Sequence, residues 1–450
     1  MALQIAKPNL LKKNANCLAV GHFSILLWLL FLPVRIHAEK VDSLQAMLNK
    51  EAIKEEKVKI LFALHEELYR NNAAKSLEYA ENAIKTSKEV NNKFLLVQSY
   101  QKAAISRIML YNYDLGQMYL DSALAVASAN NDSKGIASTK RTAGSLQWYK
   151  NNIPEAIKLY KESLETYEKL GEEQQIATSF ANLGTAYYAL GDYSNSISYY
   201  TKALELIDSV TSTSEMSEYL NDIGVIYKEW GLSAKALEYF IRAQKINKLI
   251  GNKRGEATNL DNIGSIYFNE NDFDNALTYF REGLNIDKSI GNLLGSYYSC
   301  ISVSSVFSKR GETDSVLFYL HQALEGFSKV DDKMGLAGTY LKLGETFLQI
   351  NDLKQSKSYF QKSISIAREI GDDKSLAYAT QGLGTVFFKE GQYPQAIENY
   401  RQASLLARKG NYVELLMDCY KELSVAYKKT NSKDLAIASL ESYVQVRDTI

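Results

Sequence analysis

The chain has 450 residues, 52 basic against 52 acidic, with 23% charged and 46% hydrophobic side chains. That balance excludes a disordered chain and a strongly basic nucleic-acid reader. Only four prolines occur, and no Ser/Gly-rich run offers an inter-domain linker, so one uninterrupted architecture is expected despite the length.

Residues 1–38 carry Lys7, Lys12, Lys13 and Arg35 and no acid. The lysines precede an apolar run from Phe23 to Val34, 12 residues long. That length suits the h-region of a secretory signal and is short for a membrane span of about 20 residues. With Ala38 at the −1 position, a signal peptide over 1–38 and cleavage before Glu39 are expected, which makes the mature chain an exported, periplasmic one. The other reading is an uncleaved membrane anchor over 17–34. Cys17 lacks a lipoprotein-type Leu-x-x-Cys setting, so lipidation is not expected. Without the leader the chain holds 48 basic and 52 acidic residues, a net of −4. Such a surface has no counter-charge for a phosphate backbone, so nucleic acid is not an expected partner. The remaining Cys300 and Cys419 are 119 residues apart and form neither a disulfide framework nor a metal site.

Residues 39–56 read as a short N-terminal helix or cap. From 57 to 450 the sequence repeats every 40 residues in ten units. One phase runs Ala83, Ala123, Ser163, Ala203, Ala243, Gly283, Ala323, Ser363, Ala403 and Tyr443; another holds Gly144, Gly184, Gly224, Gly264, Gly344 and Gly384. Aromatic rings keep the same beat at Tyr160, Tyr200, Phe240, Phe280, Phe360 and Tyr400, with Leu320 standing in once. Small and bulky positions fixed at helical spacing mean two closely packed helices, a ring filling the space that a small residue leaves.

Each unit therefore reads as a helix pair. In unit five, helix A is expected over 218–229 and helix B over 233–250, with Leu220, Ile223 and Tyr227 forming one buried stripe. Gly191-Asp192, Asn271-Asp272, Asn351-Asp352 and Gly391-Gln392 mark the turns. Pro154 and Pro394 fall in the first turn of helix B, where a missing N–H costs nothing. Gly171, Gly251, Gly291 and Gly371 stand where helix B stops and suit a left-handed cap.

These residues resemble the tetratricopeptide repeat, whose signature is W-x2-L-G-x2-Y followed by A-x3-F and a proline. Unit four is the nearest match, with Phe180, Leu183, Gly184 and Tyr187, then Gly191-Asp192-Tyr193, Ser196, Tyr200 and Ala203. The resemblance implies an all-α, right-handed superhelical solenoid of about ten antiparallel helix pairs. The period here is 40 instead of 34, and the closing proline is missing, so helix B is expected to run on by nearly two turns. This long-helix variant is similar to the repeats of Leu-Gly-Asn cell-polarity adaptors and to exported modules placed ahead of bacterial sensor kinases and regulators. The leader favours the second likeness.

No H-E-x-x-H, C-x-x-C, G-x-x-x-x-G-K-[ST] or G-x-S-x-G motif occurs. Neither catalytic residues nor a cofactor or metal is expected. His65 and His321 read as surface or boundary side chains, and Glu51, Glu55 and Glu56 as solvated. The resemblance implies ligand contacts from groove-side positions of helix A, on the concave face. Carried over, these are Asn182, Thr185 and Tyr188 in unit four, Asn221, Asp222 and Lys228 in unit five, and Asp261, Asn262, Ser265 and Phe268 in unit six. Short amides and hydroxyls suit an extended peptide backbone. One lysine does not make a carboxylate clamp, so capture of a C-terminal carboxylate is not indicated. Two functions remain open: an exported scaffold for a protein or peptide partner, and the sensory half of a membrane signalling protein, such as a histidine kinase, whose span and output domain would follow Ile450.

Overall fold

The computed structural model describes residues 40–69, 72–207 and 213–448. The expected signal peptide and the chain's last residue lie outside these. All regular structure among the described residues is helical. Helix α1 covers 40–50. It is followed by α2 (Lys54–Leu68), α3 (Ala73–Glu89), α4 (Lys93–Met109), α5 (Tyr113–Ala129), α6 (Ser133–Tyr149), α7 (Ile153–Leu170), α8 (Glu173–Ala189) and α9 (Tyr193–Ile207). Next come α10 (Ser214–Glu229), α11 (Ser233–Leu249), α12 (Lys253–Asn269), α13 (Phe273–Ser289), α14 (Leu293–Arg310) and α15 (Thr313–Val330). The series closes with α16 (Lys333–Gln349), α17 (Leu353–Ile370), α18 (Asp373–Lys389), α19 (Tyr393–Lys409), α20 (Val413–Lys429) and α21 (Lys433–Arg447).

The turns explain this regularity. Backbone φ is positive at Asn91, Asn131, Gly171, Gly251, Asn271, Gly291, Asn351, Gly371 and Gly391, all multiples of 20 residues apart. Glycine and asparagine reach this left-handed region at least cost, so the helix must stop there. One residue later an Asn or Asp side chain commonly caps the next helix, as Asp132 does from Gly135 N and Asp352 from Gln355 N. Tyr111 holds the same conformation at φ 57° with a side chain 67% exposed. Tyr111→Asn is expected to stabilise the chain by about 0.5–1 kcal/mol by relieving this backbone cost. A lower melting temperature for that variant would contradict the assignment.

Two expectations need correction. In unit five helix A starts at Ser214, four residues before the expected 218, because Thr213 caps it by accepting from Met216 N. Helices A and B therefore have nearly equal lengths, 16 and 17 residues in that unit, and the longer period is shared between them. His65 is not a surface residue: it is 1% exposed, stacked on Tyr69, with its Nε2 3.0 Å from the Lys102 carbonyl. His321 is exposed.

The described chain forms two compact bodies, one holding residues up to Ile263 with Ser289–Gly291, the other Gly264–Lys288 with the residues from Asn292 on. In the first, each helix from α2 to α10 packs on its successor; in the second, the same holds from α14 to α20. The buried ring of helix B sits on the small residue of helix A. A Cβ added to Gly184 or Gly224 would stand 2.6 Å from the ring of Tyr200 or Phe240, and one on Gly264 2.8 Å from Phe280. Where the sequence departs from this pair it does so on both sides: Ala104 goes with Leu120, Ser304 with Leu320, Leu64 with Ala80. Bulk lost from one helix is supplied by the other, as close packing requires. The free thiols of Cys300 and Cys419 are buried.

Candidate functional site

Once the small and aromatic phases are committed to the core, polar side chains remain on the intervening positions of helix A. One such phase reads Thr142, Asn182, Asp222, Asn262, Ser302, Lys342, Gly382 and Glu422. In the first body this face carries two clefts that share Asp222.

The first cleft, about 190 Å³, is lined by Trp148 of α6, Thr185 and Tyr188 of α8, Tyr200 of α9, and Asp222, Val225 and Ile226 of α10. Tyr200 lies on the floor, its hydroxyl 2.8 Å from Thr185 Oγ1, and it bonds the Asp222 carboxylate. Burial pushes the Asp222 carboxyl up to about 6, opposed by the bonds from Tyr200 and Asn221, with the Glu218 carboxylate adding to the rise. Burial likewise raises the Tyr188 phenol, helped by Glu229, Tyr193 and Asp222. The indole Nε1–H of Trp148 is buried with no acceptor among the described residues.

The second cleft, about 340 Å³, runs along Glu218, Asn221, Arg254, Thr258 and Asn259. Beneath it lies a chain of amides. Ser217 Oγ donates to Asn247 Oδ1 (2.7 Å), Asn247 Nδ2 to Asn259 Oδ1 (2.8 Å), and Asn259 Nδ2 to Asn221 Oδ1 (2.9 Å). Asn262 Nδ2 also donates to Asn221 Oδ1 (2.8 Å), and the Asn221 side chain bonds Asp222. Asn247 and Asn259 are 2% and 1% exposed, so this network is core, and a satisfied buried network is rigid. It fixes where the Asp222 carboxylate sits.

The structure thus brings together Thr185, Tyr188 and Asp222 in one cleft, places Asn221 beside Asp222 in the second, and joins Asn262 to Asn221. Asn182 is half-buried at the same phase one repeat earlier and lines neither cleft. Lys228 is half-buried, 3.8 Å from Glu229, and Asp261 is half-buried on α12. Ser265 and Phe268 belong to the second body, where Phe268 packs edge-on against Phe273 and lines a cavity of about 280 Å³ with Ser304, Lys342 and Glu345.

Sequence reasoning missed Trp148, Tyr200 and Glu422. A partial signal for the tyrosines was present: each Tyr at this phase has Ser or Thr 15 residues earlier, although Ser265 precedes Phe280 at the same spacing. The pairs Tyr160–Ser145, Tyr200–Thr185 and Tyr400–Thr385 are hydrogen bonded at 3.1, 2.8 and 3.2 Å. Glu422, five repeats after Asp222, accepts from Gln381 Nε2 at both carboxylate oxygens (2.7 and 2.8 Å). Among the described residues no group of His, Cys, Asp and Glu is placed to hold a metal ion, and no helix is long and apolar enough to cross a membrane.

Tetratricopeptide-repeat family models match residues 152–209, 175–248 and 215–289, and 337–370. Among solved structures the chain is similar to the quorum sensor NprR from B. thuringiensis, at 16% identity and TM-score 0.54 over 73% of this chain and 97% of that one. It is similar to the Rap conjugation gene regulator of plasmid pLS20, solved with the Phr* peptide, at 17% identity and TM-score 0.52 over 80% and 97%. Aspartyl phosphate phosphatase F from Bacillus subtilis is a third, at 12% identity and TM-score 0.54 over 78% and 93%. At these identities the likeness is one of fold. No curated protein matches the chain.

Proposed function

We propose that this chain, a tetratricopeptide-type repeat protein, is a non-catalytic scaffold that binds a protein or peptide partner on the helix-A face of its first body. The observation that carries this is the phase that varies from Thr142 through Asn182, Asp222 and Asn262 to Ser302 and Lys342, over a core that keeps its phases. A fixed core with changeable polar positions at one spacing is how a repeat array presents a recognition surface. The peptide complex of the pLS20 Rap regulator supports the reading by showing this fold used with a peptide. Likeness to a phosphatase of the same fold does not argue for catalysis here, since fold alone does not carry chemistry.

The test is selection of peptides from a displayed random library on the full chain, followed by affinity measurement on Asn182→Ala/Tyr188→Ala. These two side chains leave the amide network intact. A loss of at least about tenfold at unchanged helicity and melting temperature is expected. Equal affinity for both proteins would remove the helix-A face as the site.

We further propose export with removal of residues 1–38. Sequencing the N-terminus of the chain recovered from the cell envelope should begin at Glu39; a chain that keeps its leader in the membrane fraction would replace cleavage by anchoring.

A further inference from the structure

We propose that the cleft of Trp148, Tyr188, Tyr200 and Asp222 is an arginine subsite, taking a guanidinium side chain of the bound peptide. The inference rests on the peptide-scaffold reading and gives it a chemistry.

The first argument is charge. Asp222 is a sunken carboxylate whose ionised neighbour is Glu218, and Glu229 bears on the mouth through Tyr188. Its contacts are the neutral donors Tyr200 and Asn221. A half-buried carboxylate bonded by neutral donors is held at a cost that an incoming cation removes. The second is the count of acceptor sites. An ionised carboxylate offers about four lone-pair positions. Tyr200 and Asn221 use two, which leaves room for the two parallel N–H bonds of a guanidinium fork. An ammonium makes poorer use of that geometry.

The third argument is the walls. Two partly exposed aromatic rings, Trp148 and Tyr188, line the cleft with the carboxylate, above the buried Tyr200. A planar cation between such faces gains cation–π attraction that grows as water is excluded. These side chains come from helix A of three successive repeats and helix B of the middle one, so the pocket exists only in this order of repeats. At the corresponding place one repeat later Val225 replaces Thr185 and Phe240 replaces Tyr200, and the polar floor is gone.

The experiment titrates the full chain with the capped peptide acetyl-Ala-Arg-Ala-amide and with its citrulline counterpart, which keeps the shape and loses the charge. Tryptophan fluorescence is read, with Trp148→Phe as the control for its origin. Saturable binding of the arginine peptide with a Kd of about 1 mM or tighter is expected, with at least about tenfold weaker binding of the citrulline peptide. Asp222→Asn, which is isosteric, should lose at least about tenfold for arginine and nothing for citrulline. Trp148→Phe replaces the indole by a smaller, weaker face and should weaken the arginine peptide as measured by heteronuclear NMR. Equal binding of the two peptides, no saturation up to about 10 mM, or an Asp222→Asn chain that binds as the parent does, overturns the subsite. The library-selected peptides separate the two claims. If they bind the helix-A face without a preference for arginine, the subsite falls and the scaffold stands; if none binds there, both fall.

Discussion

Phe240→Ala is expected to lower stability by about 3–5 kcal/mol, while the pair Gly224→Ala/Phe240→Leu costs far less than its two single changes together. Phe240 is 0% exposed, and its ring lies where a Gly224 Cβ would be, 2.6 Å from Cε1. Truncation leaves a cavity that two helices joined by the short turn 230–232 cannot close. Gly224→Ala alone drives a methyl into the ring and should cost about 1–3 kcal/mol. Shrinking the ring to leucine gives that methyl room, and the chain itself uses the combination at Ala104 with Leu120 and, with serine, at Ser304 and Leu320. The double variant should therefore recover at least about 1 kcal/mol relative to additivity, read as urea midpoints. Strict additivity would mean that the two positions do not share one space.

The second large effect is on pH. Burial pushes the Glu422 carboxyl up to about 7, with Asp418 adding and the bonds from Gln381 and Thr385 opposing, and Lys421 is a weaker counter-charge. The unfolded chain's glutamate titrates near 4.3. Between these values the folded chain holds a proton that the unfolded chain releases. Stability from this group is thus present at low pH and lost as pH rises through 7, by about 4 kcal/mol in all. Asp222, pushed up to about 6, acts in the same direction over a narrower window. His65 acts oppositely. Burial first, then the Lys102 ammonium, hold it at about 4, against Glu66 and the Lys102 carbonyl. The unfolded histidine accepts a proton below about 6.5 that the folded one refuses, so its contribution is lost as pH falls from there. The wild-type profile should be shallow because these terms oppose. Glu422→Gln exposes them: its melting temperature relative to the parent should rise between pH 5 and pH 8. A difference independent of pH would mean that Glu422 is not held protonated by the fold.

The all-helical class, the 40-residue period, the turn positions and the tetratricopeptide likeness were legible because each repeats at a constant phase. Gly171, Gly251 and Asn351 announce the left-handed stops, and Pro154 and Pro394 the first turns of helix B. The start of helix A in unit five was not legible, since the buried residue of its first turn is Ser217, which carries no apolar signal. His65 was misread for a related reason: a polar side chain next to Leu64 gives no hint that Tyr69 and the Lys102 carbonyl enclose it. In the site, Asp222 and Thr185 were named from position alone. Their depth follows from Tyr200 below and from Trp148, contributed nearly two repeats earlier, and a reading that moves one repeat at a time does not meet that pair. Asn221 lines the second cleft and accepts from Asn259 and Asn262, so the two expected amides are linked to each other.

Where a bound peptide lies is the most direct test of the central claim. A photo-crosslinking amino acid placed at Tyr188 on α8, or at the exposed Glu238 on α11, would be irradiated with a selected peptide bound to the full chain. The account predicts a crosslink from position 188 and none from 238. A peptide captured from 238 alone would place recognition on the helix-B side and contradict it.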